Sequence, residues 1–373
     1  MKLDPVKKLT VKYNNRVVGY LAELADGIGF QYDESWQNDG FSISPFSLPL
    51  TNKVYINTKR TFNGLFGVFA DSLPDGWGEL LFRRMLAKQG VNAERISPLT
   101  RLALVNDYGL GALQYEPNFA ELSEPDRFDL DNLSIEAEKI WSDENESADL
   151  DEVYRLGGSS GGARPKAHIR IGEENWIVKF PCSHDSQNMG QKEFKANELA
   201  QNSGIHVNEF KLFPSKKCKG FFGAKRFDRA GAARVHMVSL SSLLETSHRI
   251  PNLDYTHLFQ VIQKICVDKS DMYEAFRRMT FNVLFGNKDD HGKNFAFLYD
   301  ETSKGYRLSP AYDITKTTDK AEHEMTVNGN GNPTKDDLLA VANNMGLHLE
   351  RCHEILDEVE RVLETVRGIA RRP

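Results

Sequence analysis

Hydrophobic and polar residues alternate in several short stretches of the chain, and this two-residue period predicts β-strands. Leu9–Tyr13 and Arg16–Leu21 are two such stretches, and the Asn14-Asn15 pair between them favours a tight hairpin turn. Ala167–Ile171 and Trp176–Phe180 form a second pair around a polar turn. The sequence therefore predicts one hairpin near the N-terminus and another near the middle of the chain.

Elsewhere, apolar residues recur at the spacing of a helix. In Met272–Phe285 four apolar residues fall on one helical face, and Gly286 is placed to end that helix. Gln191–Ser203, Asp336–Met345 and Leu349–Ile369 show the same period. These four segments are therefore predicted to be helices.

Two polar stretches lack either period. Ala120–Asp151 is acidic and poor in apolar residues, which predicts a surface helix or a linker. Thr317–Thr334 is rich in Asn and Gly, which predicts a loop. Between the helical segments, Phe295–Tyr299 and Tyr306–Leu308 have the composition of two short strands.

The polar residues beside these predicted elements have the spacing of a phosphoryl-transfer site. Asp289 precedes Asn294 by five positions, and Asp313 follows the predicted strand pair. In kinase-like sites one Asp orients the acceptor hydroxyl, while an Asn on the same loop and a later Asp bind metal ions. Two other interpretations remain: a solvated loop, or a metal-dependent hydrolase built on Asp289, Asp290 and His291.

Further parts of a kinase-like site occur upstream in the matching order. The run Gly157–Lys166 can direct backbone N–H groups at phosphate oxygens, although it is not a Walker sequence. Lys179 lies in a predicted apolar strand, and Glu193 lies in the first turn of the next predicted helix. Each feature alone is weak, because such a run is often a linker and a strand Lys is often an edge residue. Their order is that of a protein-kinase active site.

Six fragments, taken together, resemble the HipA family of bacterial serine/threonine kinase toxins. The fragments are Ser72–Gly78, Gly111–Pro117, Gly157–Lys166, Arg226–Arg229, Gly286–Asn294 and Ser309–Asp313. The resemblance implies an α+β, two-lobed protein-kinase-like fold with an additional N-terminal β-rich subdomain and a helical C-terminal lobe. We expect residues 1–118 to form that subdomain, 119–230 the nucleotide-binding lobe and 231–373 the helical lobe.

The resemblance also implies roles for individual residues. Asp289 matches the catalytic Asp, and Asn294 and Asp313 match the metal-binding residues. Lys179 matches the Lys that contacts the nucleotide phosphates, with Glu193 as its partner on a helix. We assign the catalytic base to Asp289 rather than to its neighbour because only Asp289 has the five-residue spacing.

The remaining implied roles concern the nucleotide. Lys225 and Phe227 fall at the hinge that meets adenine; Lys225 departs from the Glu of the best-known pattern, but hinge contacts use the backbone. Ser159 matches the serine that family members autophosphorylate. The other candidates for nucleotide binding are Gly158, Ser159, Ser160, Gly161, Gly162, His291 and Lys293. His291 has a second interpretation, as a hydrogen-bonding residue that fixes its loop.

The function that this resemblance implies is an ATP- and Mg²⁺-dependent serine/threonine protein kinase. It would be the toxin of a type II toxin–antitoxin system, would autophosphorylate, and would target a protein component of translation. Its implied partner is a small HipB-like helix-turn-helix antitoxin that binds operator DNA. The alternative is a catalytically weak, kinase-fold corepressor that binds the antitoxin; the complete set of Lys179, Asp289, Asn294 and Asp313 argues against it.

Composition sets limits on these predictions. The chain has 373 residues, of which 40% are hydrophobic and 27% charged, as in ordinary globular proteins. Its 47 basic and 53 acidic residues give a net charge of −6, which predicts no DNA binding by this chain alone. We expect no membrane span, and Met1–Thr10 is too polar for a signal peptide. Cys182, Cys218, Cys266 and Cys352 lack metal-site spacing and predict free thiols in the cytoplasm.

Overall fold

The computed structural model describes residues 5–105, 109–120, 128–142, 149–158 and 160–369. The chain divides into two compact units. The first comprises Met1–Gln191, Phe210–Val238 and Ser242–Thr246. The second comprises Lys192–Glu209, Ser239–Ser241 and Ser247–Pro373.

The N-terminal part of the first unit is built on an antiparallel sheet. Its strands are β1 (Lys8–Tyr13), β2 (Arg16–Leu24), β3 (Gly27–Tyr32), β4 (Tyr55–Asn57) and β5 (Leu113–Glu116), in the order β4-β3-β2-β1-β5. Its helices are α1 (Glu34–Asp39), α2 (Gly67–Ala70), α3 (Gly76–Lys88) and α4 (Pro98–Leu102). The predicted first hairpin is confirmed, and Asn14 and Asn15 have the positive φ angles, 45° and 68°, that a tight turn requires.

A second antiparallel sheet follows in the same unit. Its strands are β6 (Lys166–Ile171), β7 (Glu174–Lys179), β8 (Phe210–Phe213) and β9 (Phe221–Lys225), in the order β6-β7-β9-β8. Helices α5 (Leu130–Trp141) and α6 (Leu150–Gly157) belong to the same unit, whereas α7 (Met189–Asn202) begins in it and continues in the second unit. The predicted second hairpin is confirmed as β6 and β7, and the helix predicted over Gln191–Ser203 is confirmed as α7.

The prediction of a surface helix or linker over Ala120–Asp151 needs correction. Residues 121–127 and 143–148 lie outside the described residues, but α5 is more than a surface element. Leu133, Ala137 and Ile140 recur at helical spacing and are buried in the core of this unit, because they fall on one face of α5. The same core contains Trp77 of α3 and Trp176 of β7, both fully buried, so helices and sheet share one hydrophobic cluster.

The second unit is mainly helical, as predicted. The short strands β10 (Arg229–Ala230) and β11 (Ala233–Arg234) still belong to the first unit, and β12 (Met237–Ser239) and the turn α8 (Leu240–Leu243) are divided between the two units. The remaining elements belong to the second unit. They are β13 (Leu253–Asp254), α9 (Tyr255–Ile265), α10 (Ser270–Phe285), β14 (Ala296–Asp300), β15 (Gly305–Leu308), β16 (Met325–Thr326), α11 (Lys335–Asn344) and α12 (Leu349–Ile369).

In the second unit, the ends of each helix and strand predicted from the sequence agree with the structure within two residues. Helix α10 packs against α9, α11 and α12, and β14 pairs antiparallel with β15. The structure differs from the loop predicted over Thr317–Thr334 at Met325 and Thr326, which form β16 and pair in parallel with β13. This pairing fixes the end of a segment whose polar composition gives no strand signal.

No helix in the described ranges is both long enough and apolar enough to cross a membrane. The four cysteines are free thiols.

Candidate functional site

The loop between α10 and β14 carries the predicted catalytic and metal-binding residues of the second unit. Helix α10 ends at Gly286, which has a φ of 84°. Glycine adopts this left-handed conformation without strain, and the chain changes direction there. The N–H groups of Gly286 and Asn287 both donate to the Asn282 carbonyl at 2.9 Å. The loop therefore starts from a fixed helix end and extends to Asn294.

Asp289 and Asp290 are adjacent, but their carboxylates have opposite surroundings. Asp290 is fully buried. It accepts hydrogen bonds from the Tyr255 hydroxyl at 2.9 Å, the His323 Nδ1 at 2.8 Å and the Glu324 N–H at 3.0 Å. Its oxygens are thus used by the protein itself, and Asp290 serves to hold the loop.

Asp289, in contrast, presents its carboxylate to solvent. Its side chain is 43% exposed, and its Oδ1 contacts the ammonium of Lys320. Within the described residues its Oδ2 makes no hydrogen bond, so this oxygen is open to a substrate hydroxyl. The assignment of the base to Asp289 rather than Asp290 stays a prediction.

Asn294 is oriented by the same loop. Its Nδ2 donates to the Asp289 carbonyl at 2.7 Å, and its backbone N–H donates to the His291 carbonyl at 2.9 Å. Because Nδ2 is the group facing a carbonyl, Oδ1 is directed elsewhere, and in the described part of the chain it has no donor. Asn294 therefore offers a hard oxygen to a cation.

Asp313 follows β15 in a backbone segment that is held from several sides. Its φ of 53° is in the left-handed region, which Asp tolerates better than most residues. The Ser309 carbonyl accepts from Arg278 at 2.6 Å, the Ala311 N–H donates to the His206 carbonyl at 2.8 Å, and the Tyr312 hydroxyl donates to the Lys293 carbonyl at 2.5 Å. The segment that carries Asp313 is thereby tied to the segment that carries Asn294.

The donor set fits Mg²⁺ bound together with phosphate better than a metal bound by protein alone. Asn294 and Asp313 supply hard oxygens, and Mg²⁺ characteristically combines one or two such ligands with water and substrate phosphates. Among the described residues, no group of three or more His, Cys, Asp and Glu side chains could hold a metal ion. Since Asp290 is occupied by protein donors, the hydrolase interpretation loses one of its three ligands.

The remaining candidates in the second unit have individual surroundings. The Nδ1 of His291 is buried and makes no hydrogen bond in the described structure, so the backbone of His291, rather than Nδ1, braces the loop. Its ring lies 5.2 Å from that of His248, centroid to centroid. Glu193 of α7 is buried, and Lys179, its expected partner, belongs to the first unit.

The glycine-rich run lies between α6 and β6 in the first unit. Ser159, the expected phosphorylation site, lies outside the described residues. Ser160 is fully buried and its hydroxyl donates to the Gly157 carbonyl at 2.5 Å. The Gly161 carbonyl accepts from the Lys166 ammonium at 2.5 Å. Part of this loop is therefore fixed by its own flanking residues.

The loop also contacts a fragment of the N-terminal part of the same unit. Asp75 accepts a hydrogen bond from the Gly162 N–H, and the Trp77 N–H donates to the Gly162 carbonyl at 2.9 Å. A Cβ added at Gly76 would overlap the Gly162 carbonyl, and one added at Gly78 would overlap the Ser160 carbonyl. The sequence gives no signal for this contact between residues 75–78 and the loop.

Lys179 and the expected hinge lie in the second sheet. Lys179 ends β7 opposite Lys166, and its ammonium is 5.8 Å from the centroid of the Phe222 ring. Lys225 ends β9, and its side chain pairs with Glu174 at 2.5 Å. Phe227, two residues later, is half-buried. The Lys225 side chain thus makes an ion pair of its own, and Lys225 pairs with Trp176 of β7 in the sheet.

A buried ionic network that sequence reasoning missed follows the hinge. Asp228 accepts from Arg226 at 2.6 Å, from Arg229 at 2.9 Å and from the Gly111 N–H at 2.7 Å. Burial opposes ionisation of Asp228, but the two guanidinium groups outweigh it and hold its pKa well below the usual range. Burial, together with the nearby Arg226, lowers the pKa of His168. Only the Arg226–Arg229 fragment itself hinted at this network.

Comparisons with known proteins identify the family. The HipA N-terminal domain model matches residues 9–116, and the HipA-like C-terminal domain model matches residues 158–366. The putative kinase Y4dM of Sinorhizobium fredii is 28% identical over 211 residues, which are 53% of this chain and 50% of that relative. The alignment thus spans about half the length of that relative.

Two further similarities extend over most of the chain. The serine/threonine-protein kinase toxin HipA of Shewanella oneidensis is 25% identical over 357 residues, 84% of this chain and 76% of that relative. A chain in the structure of the Shewanella oneidensis MR-1 toxin–antitoxin system HipA, HipB and its operator DNA matches with a TM-score of 0.70 and 20% identity. That match covers 97% of this chain and 90% of the other. The expected kinase-like fold is confirmed, and the chain belongs to the HipA-like family.

Proposed function

We propose that the chain is an ATP- and Mg²⁺-dependent serine/threonine protein kinase and the toxin of a type II toxin–antitoxin system. The loop from Asp289 to Asn294 carries this proposal. It combines an exposed carboxylate with one open oxygen and an amide oxygen left free for a cation. Asp290, which lies in the same loop, accepts hydrogen bonds that hold the loop, so the backbone that carries both oxygens is fixed.

The reaction follows from the chemistry of these groups. Asp289 accepts the proton of a serine or threonine hydroxyl, the hydroxyl oxygen forms a bond to the γ-phosphorus, and the bond to ADP breaks. Lys179 and the N–H groups of the glycine-rich loop bind the phosphate oxygens. Asn294 and Asp313 would hold Mg²⁺, which when bound neutralises charge on the triphosphate. Glu193 remains a candidate for the cofactor site, and the backbone of Lys225–Phe227 would meet adenine.

The partner proposal rests on charge and on a structural neighbour. The neighbour comes from a complex that contains HipB and operator DNA. We propose that this chain likewise binds a small helix-turn-helix antitoxin in the cytoplasm and reaches operator DNA through it. We propose Ser159 as its autophosphorylation site and a component of translation as its protein substrate.

A phosphorylation assay tests the proposed activity. The purified chain is incubated with γ-labelled ATP and Mg²⁺, and phosphorylated residues are located by mass spectrometry. We expect labelling at Ser159 in the wild type and none in Asp289→Asn, with Asp357→Asn on the exposed face of α12 as the control. A well-folded wild type without phosphoryl transfer to itself or to translation components would contradict the proposal.

Calorimetry tests the metal-binding residues separately. Asn294→Ala and Asp313→Ala should weaken ATP binding in the presence of Mg²⁺, because each removes a hard oxygen ligand. If the wild type binds ATP equally well with and without Mg²⁺, the corepressor alternative is favoured.

A further inference from the structure

We propose that Lys320 is a positioning residue for Asp289. Lys320 lies in residues 317–325, which we call the post-Asp313 segment, and we propose that Asp290 anchors this segment. This inference deepens the proposed kinase function and rests on it, since Asp289 is the group that Lys320 would position.

The contact between Lys320 and Asp289 is part of a three-residue ionic group. The Lys320 ammonium contacts Asp289 Oδ1 and lies 2.7 Å from Glu324 Oε1. The three side chains are partly buried, with exposed fractions of 30% for Lys320, 43% for Asp289 and 24% for Glu324. Lys320 is therefore held by two carboxylates, one of which is the proposed catalytic base.

The backbone of the post-Asp313 segment is held against the catalytic loop at both ends. At the start, the Thr317 N–H donates to the Gly286 carbonyl at 3.0 Å, and the Thr317 hydroxyl accepts from the Lys288 N–H at 3.1 Å. At the end, the Glu324 N–H donates to the Lys288 carbonyl at 3.1 Å. Lys320 lies between these two attachment points, so its position relative to the loop is restricted.

Asp290 supplies the negative charge for the second attachment. One of its oxygens accepts the Glu324 N–H at 3.0 Å, and the other accepts from His323 Nδ1 at 2.8 Å. Both Asp290 and His323 are buried. In many kinases a phosphate on the activation loop provides the charge that orders the corresponding segment. Here an unmodified carboxylate beside the catalytic residue performs that task.

The consequence concerns the two oxygens of Asp289. With Oδ1 engaged by Lys320, the carboxylate is restricted in rotation and Oδ2 is left to accept the hydroxyl proton. A general base acts only from hydrogen-bond distance of its proton, and small misplacements of reacting groups lower rates by about 100-fold. Lys320 should therefore affect kcat without affecting ATP affinity.

Kinetics of phosphoryl transfer combined with calorimetry test this role. Lys320→Ala should lower kcat by about 10- to 100-fold, while the ATP Kd in the presence of Mg²⁺ stays within about twofold of wild type. Lys320→Arg, which keeps the charge, should recover most of kcat. Lys335→Ala is the matched control, because Lys335 is also ion-paired, to Glu360 at 2.6 Å, but on α11.

Hydrogen exchange tests the anchoring by Asp290. His323→Gln should speed amide exchange across residues 317–325 and lower kcat to a similar extent, whereas Lys320→Ala should leave exchange unchanged. The double variant should be no slower in catalysis than the slower single variant, because both changes disturb the same contact.

The outcomes separate this inference from the proposed function. An inactive but ATP-binding wild type contradicts the kinase function itself. An active wild type in which Lys320→Ala behaves like Lys335→Ala overturns the positioning role alone. A weaker ATP affinity with unchanged kcat in Lys320→Ala would assign Lys320 to nucleotide binding and also overturn it.

Discussion

At the scale of single residues, burial separates the roles of two identical side chains. A carboxylate that accepts several donors in the protein interior stabilises structure, because its loss leaves those donors unpaired. Asp290 meets this description, and Asp289, whose Oδ2 has no donor in the described residues, does not. Substitution of each residue should therefore give a different defect.

We expect Asp289→Asn to abolish phosphoryl transfer, with a rate loss of about 10²- to 10⁴-fold, and to leave ATP binding and folding intact. Asp290→Asn should instead lower the free energy of unfolding by about 2 kcal/mol or more, because an amide cannot accept all three donors. Single-turnover kinetics and urea unfolding measure the two effects. A fully stable, inactive Asp290→Asn beside an active Asp289→Asn would reverse the assignment of the base.

A second prediction at the residue scale concerns the pH dependence of stability, which a buried histidine should affect. His236 is fully buried and donates from Nε2 to the Ile43 carbonyl at 2.8 Å. Burial lowers its pKa from 6.5 to about 4, although the hydrogen bond to Ile43 acts in the opposite direction. His236 is therefore protonated below about pH 6.5 in the unfolded chain, but only near pH 4 in the folded protein. The stabilisation from neutral His236 is present above pH 6.5 and is lost as the pH falls towards 4.

Between pH 6.5 and 4, we expect the free energy of unfolding to depend less on pH in His236→Gln than in the wild type. The two slopes should differ by at most one bound proton, or about 1.4 kcal/mol per pH unit. Glutamine retains a donor for Ile43 but does not titrate. Urea unfolding at several pH values measures the slopes, and His353→Gln, an exposed position on α12, is the control. Parallel slopes for wild type and His236→Gln would show that His236 makes no contribution.

At the scale of elements, local sequence signals predicted most of the fold and part of the site. The hairpins, α10 and its end at Gly286 depend on neighbouring residues, and the Asp289–Asn294 pair lies within one loop. Lys320 and Asp75 carry no such signal, because they meet their partners across 31 and 87 positions of sequence. Lys320 also lies in a polar stretch that the sequence predicts only as a loop. Contacts of this kind follow from tertiary packing rather than from local pattern.

The contact between α3 and the glycine-rich loop gives an element-scale prediction. Gly76→Ala should displace the loop, because a Cβ there would overlap the Gly162 carbonyl, and should weaken ATP binding by about 10-fold or more. Gly90→Ala is the matched control, since Gly90 also has a positive φ but has no atom within 4 Å of the added Cβ. Both variants incur the same kind of backbone strain. Equal ATP affinities in calorimetry would mean that the contact does not position the loop.

At the scale of the whole molecule, the N-terminal part of the first unit is integrated with the proposed nucleotide-binding elements of that unit. Asp75 bonds the glycine-rich loop, Asp228 bonds Gly111 beside β5, and Trp77 belongs to the same core as Trp176. Removal of the N-terminal part would leave the buried Arg226 and Asp228 without their partners at Gly109 and Gly111. We therefore regard this part as structural support for the proposed nucleotide site.

Net charge leads to the prediction for DNA. Proteins that bind DNA directly neutralise phosphates with Lys and Arg and release counterions, whereas this chain carries a net charge of −6. Binding of operator DNA should therefore require a basic helix-turn-helix partner.

Fluorescence anisotropy with a palindromic operator duplex and a scrambled duplex, at about 0.15 M salt, should detect no complex with the chain alone. A basic helix-turn-helix protein that binds the operator serves as the positive control, and addition of the chain should raise the anisotropy further only when the two proteins associate. Tight binding by the chain alone, with affinity falling steeply as salt rises, would contradict the prediction and would require a local basic surface that the net charge conceals.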